Sequence, residues 1–246
     1  MPINNVLPFV STAIMLGFTL FVLQRYWVRR KLHFLFWGLG LAMFGAGSFA
    51  EAYLSLAWNR WVFFTWYFFG AVLNAGWIGH GTVYLLFRKK WVHYVTAALV
   101  LGSLAALVLM LQVMPRLDES AFTTSLAISD QYRDIFPAVS DGATVRLTTP
   151  FFNIYGLVTL VGGALWSAYL FWRKRVLPNR VTGNVLIAAG ALSIGFASTL
   201  TRLGYGSLLY LGELIAAVAM FAGFIIAGRP QPEEEPIAAA SVQAGS

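Results

Sequence analysis

The sequence predicts an all-α polytopic membrane protein, a bundle of seven transmembrane helices. Composition is the first ground. Of the 246 residues 59% are hydrophobic and 11% charged, against about 45–50% and about 25% in soluble domains. Mean hydropathy is +0.70. The second ground is that the apolar residues gather into seven runs. Each is long enough for a hydrocarbon core of about 30 Å, which takes about 20 helical residues. The third is that cations cluster at alternate ends of these runs. Disorder, a coiled coil, a secreted disulfide scaffold and an ordinary cytosolic enzyme are excluded. Cysteine is absent, which removes thiolate metal sites and Cys nucleophiles.

The predicted spans are Val6–Leu23, Leu35–Leu56, Val62–Phe87, Val92–Met114, Phe151–Trp172, Val181–Leu200 and Ser207–Ala227. They must be helices. In lipid every backbone N–H and C=O needs a partner within its own segment, and these runs are too continuously apolar for barrel strands.

The loops set the topology. Twelve cations follow the odd-numbered spans: Arg25, Arg29, Arg30, Lys31, Arg88, Lys89, Lys90, Arg173, Lys174, Arg175, Arg180 and Arg229. Five sit on the other side: Arg60, Arg116, Arg133, Arg146 and Arg202. Cationic loops stay cytoplasmic, so the N-terminus is expected outside and the C-terminus inside. The net charge of +7 is thus a topology signal, with no nucleic-acid partner implied. Residues 1–228 form the expected transmembrane domain, with an external loop over 115–150. Met1 to Leu7 carries no Lys or Arg side chain, so the first span reads as retained rather than as a cleaved signal peptide. The tail, 229–246, is polar and Pro-punctuated. It reads as a disordered cytoplasmic end with no fused output domain. The expected home is the cytoplasmic (plasma) membrane of a bacterial cell.

The external loop holds Asp118, Glu119, Asp130, Asp134 and Asp141 against Arg116, Arg133 and Arg146. Within it, Ala138–Val145 reads as two short β-prone arms around an Asp-Gly turn. A small hairpin lidding the outer mouth is one expectation. A solvated connector is the other.

Ionisable groups at membrane depth cost a few kcal/mol unless paired or hydrated. Glu51 lies near the outer end of the second span, and Glu213 about two turns inside the outer end of the seventh. Arg202 closes the sixth on the same side. Helical spacing gives each an inward stripe: Gly47, Ser48, Glu51 and Ser55; Gly195, Ser198 and Arg202; Gly206, Tyr210, Glu213 and Ala217. The expectation is a cluster of Glu51, Arg202, Glu213 and Tyr210, serving as a ligand or ion-pair site. The alternative is a structural clamp that fixes helix register. One Arg cannot neutralise two carboxylates, so one Glu is protonated or water reaches the cluster.

The third span carries Gly70, Asn74, Trp77, Gly81 and Tyr84 along one face, with His80 beside them. Asn74, Trp77 and His80 are candidate pocket-lining residues. Interhelical hydrogen bonding by Asn74 and His80 is the competing role. His33, His80 and His93 are dispersed, and without thiolates they make a weak ligand set, so neither haem nor a metal is expected. Trp27, Trp37, Trp58, Trp61, Trp91 and Trp172 fall near the span ends, as an interfacial aromatic belt does.

Seven spans with an outside N-terminus resemble the layout of the rhodopsins. A retinal Schiff base needs a lysine in the seventh helix, and the lysines here are Lys31, Lys89, Lys90 and Lys174, so a retinal cofactor is excluded. Trp37-Gly38 with Phe49-Ala50-Glu51, and Tyr67-Phe68-Phe69-Gly70 with Trp77, resemble regions of the bacterial seven-helix sensor modules that precede histidine kinases. That resemblance implies a receptor-like bundle and carries over no catalytic residue.

Three functions follow. The first is a receptor-like or partner-binding membrane module. It would take a small or lipophilic ligand, or another membrane protein, at a polar site in the outer half. The second is a small-solute or proton-coupled transporter using Glu213 or Glu51. Its prolines lie at helix ends (Pro8, Pro115, Pro150, Pro178, Pro230), so no mid-span break is expected. The third is an intramembrane enzyme, ranked last because no Gly-x-Ser-x-Gly or His-Glu-x-x-His motif is present.

Overall fold

The computed structural model describes residues 3–87, 89–175, 177–202 and 207–229. The tail beyond Arg229, expected to be disordered, lies outside the described residues. The protein is 87% helical, with no strand among the described residues. Seven helices are long and apolar enough to cross a membrane, one for each predicted run. They are α1 (Ile3–Arg29), α2 (Leu32–Leu54), α3 (Arg60–Leu86), α4 (Trp91–Val113), α6 (Thr149–Arg173), α7 (Pro178–Arg202) and α8 (Ser207–Ala227). The eighth, α5 (Ile128–Ile135), is short and lies in the long connection between α4 and α6.

Six of the long helices close a ring in the order α1, α2, α3, α6, α7, α8 and back to α1, while α4 flanks α3 from outside. Small residues set the closest approaches. A methyl built on Gly156 of α6 would lie 2.3 Å from the Ala75 carbonyl of α3. One on Gly183 of α7 would lie 2.5 Å from the Gly223 carbonyl of α8, and one on Gly47 of α2 would lie 2.6 Å from the Gly70 Cα of α3. Backbones this close gain dispersion contacts that apolar lipid cannot replace.

The third span departs from the unbroken helix that its proline-free interior suggested. Residues Trp66–Leu73 form a π-helical segment between α-helical Arg60–Thr65 and Asn74–Leu86. Such widening needs no proline, because it is a change of hydrogen-bond register, and it often marks functional positions. Two asparagines serve the backbone just beyond it. Asn74 Oδ1 accepts from the Ala75 N–H at 2.5 Å, and Asn153 Nδ2 donates to the Ala71 carbonyl at 3.2 Å. In an unbroken α-helix those two backbone groups would pair with each other.

The long connection is neither a hairpin nor a solvated strap. It folds as an apolar cap of α5 and short 3₁₀ turns at Met114–Arg116, Glu119–Ala121, Val139–Asp141 and Thr144–Leu147. Ile128, Ile135, Phe136 and Val145 are buried in one core with Phe63, Trp66 and Tyr67 of α3 and Met110 of α4. The Asp-Gly turn does form, with Gly142 at φ 106°. Its arms are too short to gain much from pairing, and their backbone groups are satisfied locally. Asp141 N–H donates to Ala138 O at 2.9 Å and Arg146 N–H to Ala143 O at 3.1 Å. Gln131 organises the cap's other end. Its side chain accepts from Thr123 N–H (2.7 Å) and donates to the carbonyls of Thr123 and Leu126 (2.8 and 2.9 Å). An Arg60–Glu119 ion pair ties the cap to the start of α3.

Candidate functional site

The Gly47–Gly70 crossing positions the first two residues of the site. Four residues beyond Gly47 along α2 is Glu51, and four residues before Gly70 along the antiparallel α3 is Trp66. Both therefore sit one turn closer to the cap, on the faces that meet. Trp66 donates its indole N–H to Glu51 Oε1 at 2.8 Å. Glu51 is 2% exposed, and its Oε2 has no hydrogen-bond donor among the described residues.

The third residue arrives from α8. Glu213, half-buried, brings its carboxyl beside that of Glu51. Two carboxylates cannot bond each other, because neither has a donor, so a donor between them would join the two groups. Tyr210, one turn nearer the cap on α8, is buried with its phenol within electrostatic reach of both carboxyls. Its oxygen accepts the Ile128 N–H at 3.3 Å, so the first residue of α5 is fastened over the site.

Two further polar atoms are orphaned near this level. Among the described residues, Ser48 Oγ, one helical turn from Glu51, is buried without a partner, as is Ser11 Oγ on α1. Gly45 of α2 packs on Met15 of α1, and in that antiparallel register Ser11 lies one turn further toward the cap, level with Ser48 and Phe49. Sequence spacing placed Ser48 on the inward stripe, but nothing in the sequence marked Ser11 or Trp66 as members of the site. Their roles depend on helix register across the ring.

Of the expected cluster, Glu51, Glu213 and Tyr210 meet. Arg202 is the last residue of α7, and its side chain lies outside the described residues. Ser55, the last member of the α2 stripe, instead turns its hydroxyl back onto the Ala52 carbonyl at 2.8 Å.

Asn74, Trp77 and His80 lie elsewhere. Trp77 Nε1 donates to Ser103 of α4 at 3.2 Å. His80, fully buried, spans α4 and α6, with Nδ1 2.6 Å from Tyr155 Oη and Nε2 2.8 Å from Thr96 Oγ1. Thr96 spends its own hydrogen on the Val92 carbonyl at 2.9 Å. It therefore accepts from His80 Nε2–H, and Nδ1 accepts from Tyr155. Both ring nitrogens are engaged in helix packing.

A narrow crevice does run inside the ring, in the half away from the cap. It is lined by all six ring helices, with Trp37, Leu160, Asn184 and Phe224 among its walls. Asn74, Trp77 and His80 are not among them, although Ile78 and Thr82 of the same helix are. Trp77 and His80 reach Ser103 and Thr96 of α4, which stands outside the ring, while Asn74 caps its own helix at Ala75 N–H.

No protein-family model matches the chain, and no curated protein or solved structure is similar to it. The fold and its seven spans define the class: an all-α membrane protein.

Proposed function

We propose that the chain is a receptor-like integral membrane module of a bacterial plasma membrane, with its N-terminus and cap outside and its C-terminus in the cytoplasm. Its polar site, roofed by α5, takes a small organic cation between the carboxyls of Glu51 and Glu213. One observation carries the reading. Among the described residues, buried Glu51 has an unpartnered carboxyl oxygen, near half-buried Glu213 and one turn from the orphaned Ser48 hydroxyl, at a depth where unpaired polar groups are costly. A primary ammonium offers three donors and a positive charge, which matches that need. The test is thermal unfolding of the detergent-purified protein with ethylammonium chloride, against sodium chloride at equal ionic strength. Ethylammonium should raise Tm in the native protein and leave a Glu51→Gln/Glu213→Gln double variant unmoved. Equal response of the two proteins would defeat the proposal.

A second reading, a proton-coupled transporter, draws on the π segment that begins at Trp66. A helix that changes hydrogen-bond register beside a carboxyl pair is suited to coupling proton transfer to movement. Liposomes holding a pH-sensitive dye separate the two. Amine-driven proton flux that Glu213→Gln abolishes supports transport, and ligand binding without flux supports the receptor.

A further inference from the structure

A cleft of about 240 Å³ opens at the end of the bundle opposite the cap, where α3 ends and α4 begins. Tyr84, Phe87, Lys89, Lys90, Val92 and His93 line it. Membrane spans end at Leu86 and begin again at Trp91, so the cleft sits at their edge. The exposed rings of Phe87 and Trp91, 5.2 Å apart, flank the two lysines as interfacial aromatics do.

The cleft is positive and nothing nearby offsets it. Lys89 and Lys90 are exposed, and neither pairs with a carboxylate among the described residues. The acids of those residues are Glu51, Glu213 and the five of the cap, Asp118, Glu119, Asp130, Asp134 and Asp141, all in the other half of the bundle. The start of α4 adds the positive end of a helix dipole. Its Val92 and His93 N–H groups are spent on the Lys89 and Lys90 carbonyls at 3.1 Å each, so recognition in the cleft falls to side chains.

Hydrogen bonding fixes the third polar group. Thr96 gives its hydrogen to the Val92 carbonyl and accepts from His80. Its oxygen also lies 2.9 Å from Tyr84 Oη, and with its hydrogen spent it accepts there too. Tyr84 has then used its only hydrogen, so at 3.3 Å it accepts from His93 Nδ1–H. His93 is held with Nδ1 on Tyr84, and its Nε2 has no partner among the described residues. Protonated, that imidazole would give Nε2–H to an anion while keeping its bond to Tyr84.

We propose that this cleft binds the phosphate monoester headgroup of an anionic lipid, with Lys89, Lys90 and His93 as its donors. Size favours a headgroup. The cleft is smaller than the about 300–1,000 Å³ of pockets that enclose a whole small molecule, so acyl chains stay outside it. Charge favours a monoester, which carries about −1.5 to −2 and is matched by two ammonium groups. Position favours a lipid over free phosphate, because the cleft opens beside rings exposed at the span edge. The carboxyl pair under the cap plays no part in it.

The test is native mass spectrometry of the detergent-purified full chain, titrated with dioleoyl phosphatidic acid. One lipid should bind more tightly than any other. Lys89→Gln/Lys90→Gln should weaken that one about tenfold or more, the size of one charge-assisted hydrogen bond upward, and His93→Phe should weaken it by a smaller factor. Arg173→Gln/Lys174→Gln removes the same charge from the turn between α6 and α7 and should leave it bound. Equal weakening by the two double variants would reduce the binding to bulk charge and overturn the site. Phosphatidylglycerol bound as tightly as phosphatidic acid would overturn the monoester. Displacement of the tight lipid by inorganic phosphate at the same concentration would give the cleft to the free ion and overturn the lipid.

Discussion

The indole N–H of Trp66 donates to Glu51 Oε1 at 2.8 Å, and that bond joins the first residue of the π segment in α3 to the only carboxylate of α2. It is a buried hydrogen bond to a carboxyl group, with both partners shielded from solvent. Trp66→Phe keeps an aromatic ring and removes the donor. The expected cost is about 1–3 kcal/mol, the penalty for stranding a buried acceptor, seen as a lower Tm in detergent. A Tm equal to that of the native protein would mean that Glu51 finds another donor.

The same carboxyl faces Glu213 of α8. Two carboxylates in contact repel unless a donor stands between them. Glu213→Gln supplies an amide donor there. The variant should therefore match or exceed the native Tm in detergent. A fall would show that the carboxyl at position 213 is itself needed for the fold.

Much of the fold was legible in the sequence, and the reason is specific. Apolar run length decides what crosses a membrane, so each predicted run has its helix, from Val6–Arg29 to Leu208–Ala227. Glu51, Glu213 and Tyr210 were legible too, because a charge at membrane depth needs company. Helix register was not. Trp66 looked like one more aromatic among many, and nothing in the sequence showed that Trp77 and His80 would meet α4 rather than the ring interior. The cap was misread because Ala138–Val145 has β-prone residues around a good turn. Burial of Val145 and Phe136 against Phe63 outweighed that local preference.

Two glycine substitutions should separate packing from propensity. Gly156→Ala puts a methyl 2.3 Å from the Ala75 carbonyl, where only backbone movement can make room. Overpacking of this kind costs about 1–3 kcal/mol, and the shift should also loosen the neighbouring Tyr155–His80 bond. Gly17→Ala meets nothing within 4 Å. There the helix gains about 1 kcal/mol of propensity, so Tm should hold or rise. The two measured Tm values should move in opposite directions, and a fall of equal size in both would refute the close α3–α6 crossing.

The cap offers the last test, because one side chain holds much of it. Gln131 is 3% exposed and satisfies Thr123 N–H, Thr123 O and Leu126 O together. Removing it takes the partner from three backbone groups of a part-buried turn, a local cost of about 1–3 kcal/mol. The bundle below is held by different contacts: the Gly183–Gly223 and Gly212–Ala197 approaches of α7 and α8, and Ser193 Oγ bridging to the Gly212 carbonyl at 3.0 Å. Gln131→Ala should therefore speed amide hydrogen exchange across residues 123–135 and leave α8 protected beyond Glu213. The Ile128 N–H should be among the accelerated amides, since its acceptor, Tyr210 Oη, stays with α8 while α5 moves. Acceleration throughout α8 would instead make cap and bundle one cooperative unit, and α5 could then not open over the carboxyl pair without unfolding what lies beneath it.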